Sequence, residues 1–114
     1  MPIYQTAEYQ VSAAGLDAVR RAIIEFVDYV RASEPGTQMY AAWERQDEPT
    51  RFTHLFVFAD DEAQRIHSES AAVARFEAAY RQHLVGGDVV FTDFDLVASN
   101  QRAFVWATTK GTES

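Results

Sequence analysis

Two neighbouring segments of this chain alternate like β-strands but are apolar on both faces. They cover residues 37–46 and 52–59, with a polar turn between them. Large apolar residues occupy odd and even positions alike: Met39, Tyr40, Ala41, Ala42 and Trp43 in the first segment, and Phe52, Leu55, Phe56, Val57 and Phe58 in the second. Such strands need cover on both faces. Because so short a chain has helices for only one face, the other is predicted to meet a second subunit or a ligand.

The segments before this pair form a strand and a long helix. Residues 3–11 alternate well enough to predict a first strand. From Leu16 the apolar residues recur with helical spacing, and this helix is predicted to end near Glu34. Pro35 disfavours the helical conformation of its predecessor, and Gly36 permits a sharp reversal.

The segments after the pair form two short helices and a last strand. Asp60 and the acidic residues after it favour a helix start, with the helix running to about His67 or Ser68. Ser70 is predicted to cap the next helix, and the glycines at 86 and 87 to end it. The last clear strand is predicted over residues 89–97.

This order predicts an α+β fold of the ferredoxin-like, split β-α-β class, with a four-stranded antiparallel sheet and helices on one face. The domain spans residues 3–98. Residues 99–114 are predicted to form a C-terminal extension, with a weaker strand candidate at 101–108 followed by a loose tail. Two copies that pair through the bare sheet face would form a homodimeric α+β barrel. The alternative is a monomer that uses this face as a ligand platform.

Charge and composition limit the classes of partner that this chain is expected to bind. The 17 acidic and 10 basic residues give a net charge of −7, which would repel nucleic acid and anionic lipid. The chain has no cysteine, so disulfides and thiolate metal sites are excluded. We find no export leader and no apolar run near the roughly 20 residues of a membrane span. We therefore expect a cytoplasmic protein that binds neither nucleic acid nor membrane.

Several short segments share their order and spacing with a known family. They are Glu34-Pro35-Gly36 before an aromatic strand, Phe58-Ala59-Asp60 before a helix, His67-Ser68-Glu69-Ser70, and Phe76. Together they resemble the antibiotic biosynthesis monooxygenase (ABM) domain family of the dimeric α+β barrel superfamily, over residues 3–97. The resemblance implies this fold and a homodimer. Its relatives include cofactor-free oxygenases, haem-degrading enzymes, isomerases and members without known activity.

The chain departs from the family pattern at positions that bear on chemistry. Ala72 stands where many members have a histidine, and Phe56 where many have a glutamate, so the pocket is predicted to be less polar. Haem-degrading relatives have an asparagine, a tryptophan and an iron-binding histidine where this chain has Glu8, His67 and about Glu77. Because the iron ligand is missing, we do not expect haem degradation.

His67 is the candidate catalytic residue. It is predicted at the end of a short helix that closes one mouth of the cleft between helices and sheet, where an imidazole could act as a base at neutral pH. The alternative is a partly exposed histidine that only ends the helix. The three histidines, His54, His67 and His83, are too dispersed for a metal-binding motif, so we expect no metal and no cofactor.

Tyr40, Trp43, His54 and Tyr80 are the candidate substrate-binding residues. Tyr40 and Trp43 have opposite parity, so one is predicted to line the cleft and the other to enter the dimer barrel. His54 faces either the cleft or a core or interface site where a carbonyl satisfies it. Aromatic groups with a polar end suit a planar aromatic ligand, although core packing is the simpler explanation for any one of them.

The leading functional hypothesis is a cofactor-independent monooxygenase that oxidises an electron-rich aromatic, a phenol or hydroquinone, to a quinone. The resemblance implies this chemistry, and the sequence has no phosphate-binding loop, serine elbow or thiol for another. Two alternatives stay open. One is a non-catalytic dimer that binds a small apolar molecule or assists a stress response, and the other is an isomerase of the same fold.

Overall fold

The structure, a computed structural model, describes residues 1–101. Its elements are β1 (Ile3–Val11), α1 (Leu16–Ser33), β2 (Thr37–Glu44), β3 (Arg51–Phe58), α2 (Asp61–Ser68), α3 (Ala71–Arg81) and β4 (Leu84–Phe94), with a 3-10 turn at Ala13–Gly15. The strands form one antiparallel sheet in the order β2-β3-β1-β4. This confirms the predicted α+β, ferredoxin-like class.

The helix boundaries follow from local capping chemistry. The Asp60 side chain accepts a hydrogen bond from the Ala63 backbone N–H at 2.9 Å, and Ser70 accepts one from the Val73 N–H at 3.0 Å. These bonds satisfy amides that have no partner inside their own helices. Both caps were predicted from the sequence and are confirmed.

Helix α1 covers one face of the sheet with a single apolar stripe. Val19, Ile23, Phe26 and Val30 are buried along it at spacings of three or four. Phe26 stacks on Phe76 of α3, with ring centroids 4.9 Å apart, so the two helices share one core layer. This layer and the sheet form the walls of the cleft described below.

The last strand begins earlier than predicted. Helix α3 ends at Arg81, and the two glycines lie inside β4 instead of ending the helix. Gly86 and Gly87 have φ values of 74° and 116°, and the register with β1 shifts nearby, between Glu8 and Gln10. Glycine suits positive φ at a helix end and in a β-bulge equally well. Because this segment pairs with β1, the two glycines belong to a bulge in β4 and do not end α3. The predicted helix end at these glycines was wrong.

Strand β4 also ends three residues before the predicted limit at residue 97. Its last residue, Phe94, pairs with Tyr4, and β1 begins only one residue earlier at Ile3, so little of β1 is left for longer pairing. The predicted strand at 101–108 lies outside the described residues from 102 onward. Within residues 1–101, no helix is both long and apolar enough to cross a membrane.

Within residues 1–101, no helix covers the other face of the sheet. Strand register places Trp43, Thr53, Glu8 and Val90 in one row across it. The exposed fractions of Trp43, Val90 and Phe94 are 52%, 59% and 51%. The predicted bare face with exposed aromatic and aliphatic side chains is therefore present.

Candidate functional site

A cavity of about 190 Å³ lies between the helices and the covered face of the sheet. Aromatic rings and two histidines form most of its wall: Tyr9, Phe26, Tyr40, His54, Phe56, Phe58, His67, Phe76 and Tyr80. A larger groove of about 470 Å³ runs between α1 and α3, but neither histidine lines it. The smaller cavity is therefore the candidate site.

The structure brings together four of the five residues singled out from the sequence. His67, Tyr40, His54 and Tyr80 all line the cavity. Trp43 does not, because it belongs to the bare face, where it is half exposed. Tyr40 and Trp43 thus lie on opposite faces, as strand alternation predicts.

His67 is held by a buried carboxylate that the sequence did not reveal. Its Nδ1 lies 2.8 Å from Glu34 Oε1, and the side chains of His67 and Glu34 are 12% and 2% exposed. An ionised carboxylate only accepts hydrogen bonds, so the bond to it places a proton on Nδ1. In a neutral ring Nε2 then keeps a free lone pair. Among the described residues, no side chain or backbone group bonds to this nitrogen.

Glu34 is itself positioned by the end of α1. Its backbone N–H donates to the Val30 carbonyl, and its Oε1 also accepts a bond from the Thr37 hydroxyl at 2.8 Å. Its Oε2 is buried and has no hydrogen-bond partner within residues 1–101. Burying a carboxylate is costly, so such a residue usually has a role that offsets the cost. In sequence it is an acidic residue in a turn, where most carboxylates are exposed.

His54 lies between two tyrosine hydroxyls. The Tyr9 oxygen is 2.8 Å from Nε2, and the Tyr40 oxygen is 2.8 Å from Nδ1. The sequence suggested a backbone carbonyl as its partner if it were a core residue, so the partners are a finding of the structure. Burial lowers the pKa of His54 from 6.5 to about 4, which keeps the ring neutral at physiological pH.

The tyrosines of the cavity remain protonated. Burial raises the pKa of Tyr9, with smaller contributions from Tyr40 and Tyr80. Burial likewise raises the pKa of Tyr40, and then its neighbours Tyr80 and Glu34 add to the effect. Both hydroxyls are therefore available as hydrogen-bond donors over the whole neutral range.

Stacked rings hold these polar groups in place. Tyr9 lies between Phe52 and Tyr80, with centroid distances of 5.5 and 5.1 Å. Tyr40 stacks on Phe56 at 5.3 Å and meets the edge of Phe26 at 5.4 Å. Rings packed on both sides have little rotational freedom, so the polar ends of the tyrosines are fixed.

The residues at which this chain differs from the family pattern lie in different parts of the structure. Phe56 lines the cavity and adds an apolar ring to its wall, whereas Ala72 faces the groove between α1 and α3. Glu8 is on the opposite face of the sheet, and Glu77 lines the cavity. Within residues 1–101, we find no group of three or more histidine or carboxylate side chains arranged to hold a metal ion.

Solved structures share this fold. A candidate antibiotic biosynthesis monooxygenase from Caulobacter crescentus is 22% identical, with a TM-score of 0.78 over 85% of this chain and 91% of its own. One from Bacteroides thetaiotaomicron is 14% identical, with a TM-score of 0.81 over 89% and 94% of the two chains. A Mycobacterium tuberculosis protein is 17% identical, with a TM-score of 0.78 over 89% of this chain and its whole length.

No curated protein matches the chain. At these identities the solved structures establish the fold, and family membership rests on sequence. The sequence model of the antibiotic biosynthesis monooxygenase family matches residues 2–79, which is more than half of the chain. The segments around Glu34 and His67 lie inside this match, as do three of the four strands that line the cavity, β1, β2 and β3. The chain therefore belongs to the antibiotic biosynthesis monooxygenase family.

Proposed function

We propose that this protein is a cofactor-independent monooxygenase that converts a small, electron-rich phenol to a quinone inside the aromatic cavity. The observation that carries the proposal is the Glu34–His67 pair, which leaves one imidazole nitrogen unbonded in a mainly aromatic wall. Membership of the family supports the reaction class. The names of the Caulobacter and Bacteroides proteins point the same way.

His67 is the proposed base. The Glu34 carboxylate accepts the Nδ1 proton, so Nε2 is the nitrogen that accepts a proton from the substrate. The resulting imidazolium lies beside the carboxylate, which stabilises it as in a hydrolase triad. Glu34 is thus a positioning residue, and His67 is the proposed catalytic residue.

The size of the cavity limits the substrate. A cavity of about 150 Å³ accepts benzene, and drug-sized ligands occupy roughly 300–1,000 Å³. With a volume of about 190 Å³, the cavity suits a ligand of one aromatic ring or of two fused rings. The rings of Phe26, Phe56 and Phe76 provide apolar surfaces for a planar ligand.

The reaction needs no electron source except the substrate. His67 takes the phenolic proton, and the phenolate gives one electron to O₂, which leaves a phenoxyl radical and superoxide. These combine at a ring carbon to form a C–O bond, and His67 returns the proton to the outer peroxide oxygen. Loss of the ring C–H proton and cleavage of the O–O bond then form the second carbonyl and release hydroxide, which becomes water. One phenol and one O₂ give one quinone and one water.

Oxygen uptake with 1-naphthol or a dihydroxynaphthalene tests the proposal. We expect quinone absorbance to rise with consumption of one O₂ per 1-naphthol, and one ¹⁸O atom from ¹⁸O₂ in its quinone. His67→Gln should lower the rate at least about tenfold, because a general base typically contributes roughly 10²–10⁴-fold. Glu34→Gln should also lower it, because removal of the triad carboxylate costs hydrolases roughly 10⁴-fold.

His83→Gln is the matched control. This histidine lies outside the cavity, so the variant should keep the wild-type rate. Equal rates in wild type and His67→Gln would remove the base assignment. If no phenol of one or two rings is turned over although it binds in the cavity, the protein is a binding protein and not an oxygenase.

We further propose that a second copy covers the bare sheet face. Trp43, Val90 and Phe94 leave an exposed apolar surface there, larger than isolated surface residues would explain. A two-fold pair would bury the same face of both copies. Trp43→Glu and Val90→Glu should therefore shift the mass measured by light scattering from dimer to monomer, whereas Ile24→Glu on the helical side should not. A monomeric wild-type protein would reject the dimer.

A further inference from the structure

We propose that Tyr9, His54 and Tyr40 form a directional hydrogen-bond chain that ends in a single free phenolic proton, and that Tyr40 donates this proton to an anionic oxygen of the ligand. The proposal adds an anion-stabilising group to the site of the proposed oxygenase and rests on that function for its substrate class. Both hydrogen bonds of this chain, Tyr9–His54 and His54–Tyr40, are 2.8 Å long.

The number of protons in the chain leads to this proposal. A neutral imidazole has one N–H and one lone pair, and each tyrosine has one O–H. The three groups therefore contain three protons but make only two bonds with one another. One phenolic O–H is left over. It belongs to the tyrosine whose oxygen accepts the imidazole N–H, since that oxygen cannot also donate to the ring.

The chain can point in two directions. In one, Tyr9 donates to Nε2, Nδ1–H donates to Tyr40, and the Tyr40 proton is free. In the other, Tyr40 donates to Nδ1, Nε2–H donates to Tyr9, and the Tyr9 proton is free. Within residues 1–101, neither hydroxyl has a second hydrogen-bond partner. A ligand that accepts at one end therefore selects one tautomer of His54, and the bonds of an aligned chain strengthen one another.

Tyr40 is the end that lies near the proposed base. Its ring centroid is 5.8 Å from that of His67, and both residues contact Phe26 and Phe56. A phenolic oxygen that gives its proton to His67 can thus receive the Tyr40 hydrogen bond when it becomes an anion. Donors that are fixed before the charge develops stabilise it without reorganisation. Tyr9 acts through His54, so it is a positioning residue.

Apart from the imidazolium that forms at His67 in the proposed reaction, the cavity has no cationic partner for an anion among residues 1–101. Its acidic groups are Glu77 in the wall and, behind His67, the carboxylate of Glu34, and among residues 1–101 no lysine or arginine lines it. Burial keeps His54 uncharged. A neutral donor chain is therefore the means by which this site binds a phenolate in preference to a neutral ring.

Affinity for two planar probes that differ by one oxygen atom tests the proposal. 4-Nitrophenolate carries the anionic oxygen, and nitrobenzene lacks it. With wild-type protein, at a pH where the free nitrophenol is ionised, we expect nitrophenolate to bind about ten- to a hundredfold more tightly, as for a hydrogen bond to a charged group. Tyr40→Phe should bring this ratio close to one while nitrobenzene binds as before, which shows that the cavity is intact.

Tyr29→Phe is the matched control, because Tyr29 lines the groove between α1 and α3 and does not line the cavity. It should keep the wild-type ratio. ¹⁵N spectra of labelled histidine should show the His54 proton on Nδ1 when nitrophenolate is bound, and Tyr9→Phe should shift the resonance of the unprotonated Nε2.

A wild-type ratio near one overturns the proposal, and so does a ratio that Tyr40→Phe leaves unchanged. A bound state with the proton on Nε2 reverses the direction of the chain and also overturns it. The outcome is separate from that of the oxygenase test. A preference for nitrophenolate without any oxygen uptake from naphthols would reject the oxygenase and retain the donor chain.

Discussion

The burial of His54 makes the stability of this protein depend on acid pH. The folded protein holds the ring neutral with a pKa of about 4, whereas an unperturbed histidine titrates near 6.5. Between these values the unfolded chain binds a proton that the folded chain does not. The contribution of His54 is therefore complete above about pH 7 and is lost as the pH falls from 6.5 towards 4.

The magnitude follows from the two pKa values. Linkage gives a loss of about 2 kcal/mol at pH 5 and about 3 kcal/mol at pH 4, relative to pH 7.5. A small domain has a total free energy of unfolding of about 5–15 kcal/mol, so this loss is easily measured. His54→Gln is the comparison, because glutamine can donate to one tyrosine and accept from the other but does not titrate.

Urea unfolding of both proteins at pH 7.5, 5 and 4 provides the assay. Carboxylates titrate in both proteins, so the difference between them isolates His54. We expect the stability advantage of the wild type over His54→Gln to shrink by about 3 kcal/mol between pH 7.5 and pH 4. An advantage that stays constant across this range refutes the reasoning, and a direct NMR titration of the His54 ring near pH 6.5 would do the same.

Three further predictions concern packing and cofactor binding. Phe52 is 3% exposed and stacks on Tyr9, so Phe52→Ala should lower the free energy of unfolding by about 3–5 kcal/mol, and a loss below about 1 kcal/mol would contradict the packing described. A Cβ on Gly15 would lie within the side chain of His83, 2.7 Å from its Cβ, so Gly15→Ala should cost about 1–3 kcal/mol. His83→Ala should restore part of this loss in the double variant, and strict additivity would count against the contact. Titration with haemin should not produce the absorbance spectrum of histidine-ligated haem at one haem per chain. A stoichiometric spectrum of that kind would make haem chemistry a candidate function again.

The sequence predicted the local structure wherever short-range chemistry decides it. Pro35 and Gly36 indicated the end of α1, and Asp60 and Ser70 indicated the caps of α2 and α3. Each of these signals depends on backbone geometry or on a side chain that bonds an amide three residues away. The glycines in β4 misled the prediction because glycine suits a helix end and a bulge equally, and only pairing with β1 distinguishes them.

The candidate site was predicted in part. Strand alternation predicted that Tyr40 and Trp43 lie on opposite faces, but it did not indicate which one faces the helices. The sequence also drew attention to His67 and His54, yet it revealed neither of their partners. Glu34 looked like an ordinary turn residue, and Tyr9 like one apolar position of a strand.

By itself, the sequence determined the order of helices and strands, their caps and the apolar character of both sheet faces, because these depend on residues that are neighbours along the chain. Only the tertiary structure decided the partners of the buried polar groups. Glu34 and His67 are 33 positions apart, and Tyr9 and His54 are 45 apart. Such pairs form when helix and strand packing brings them together and excludes water, and a buried polar group is stable only with a hydrogen-bond partner.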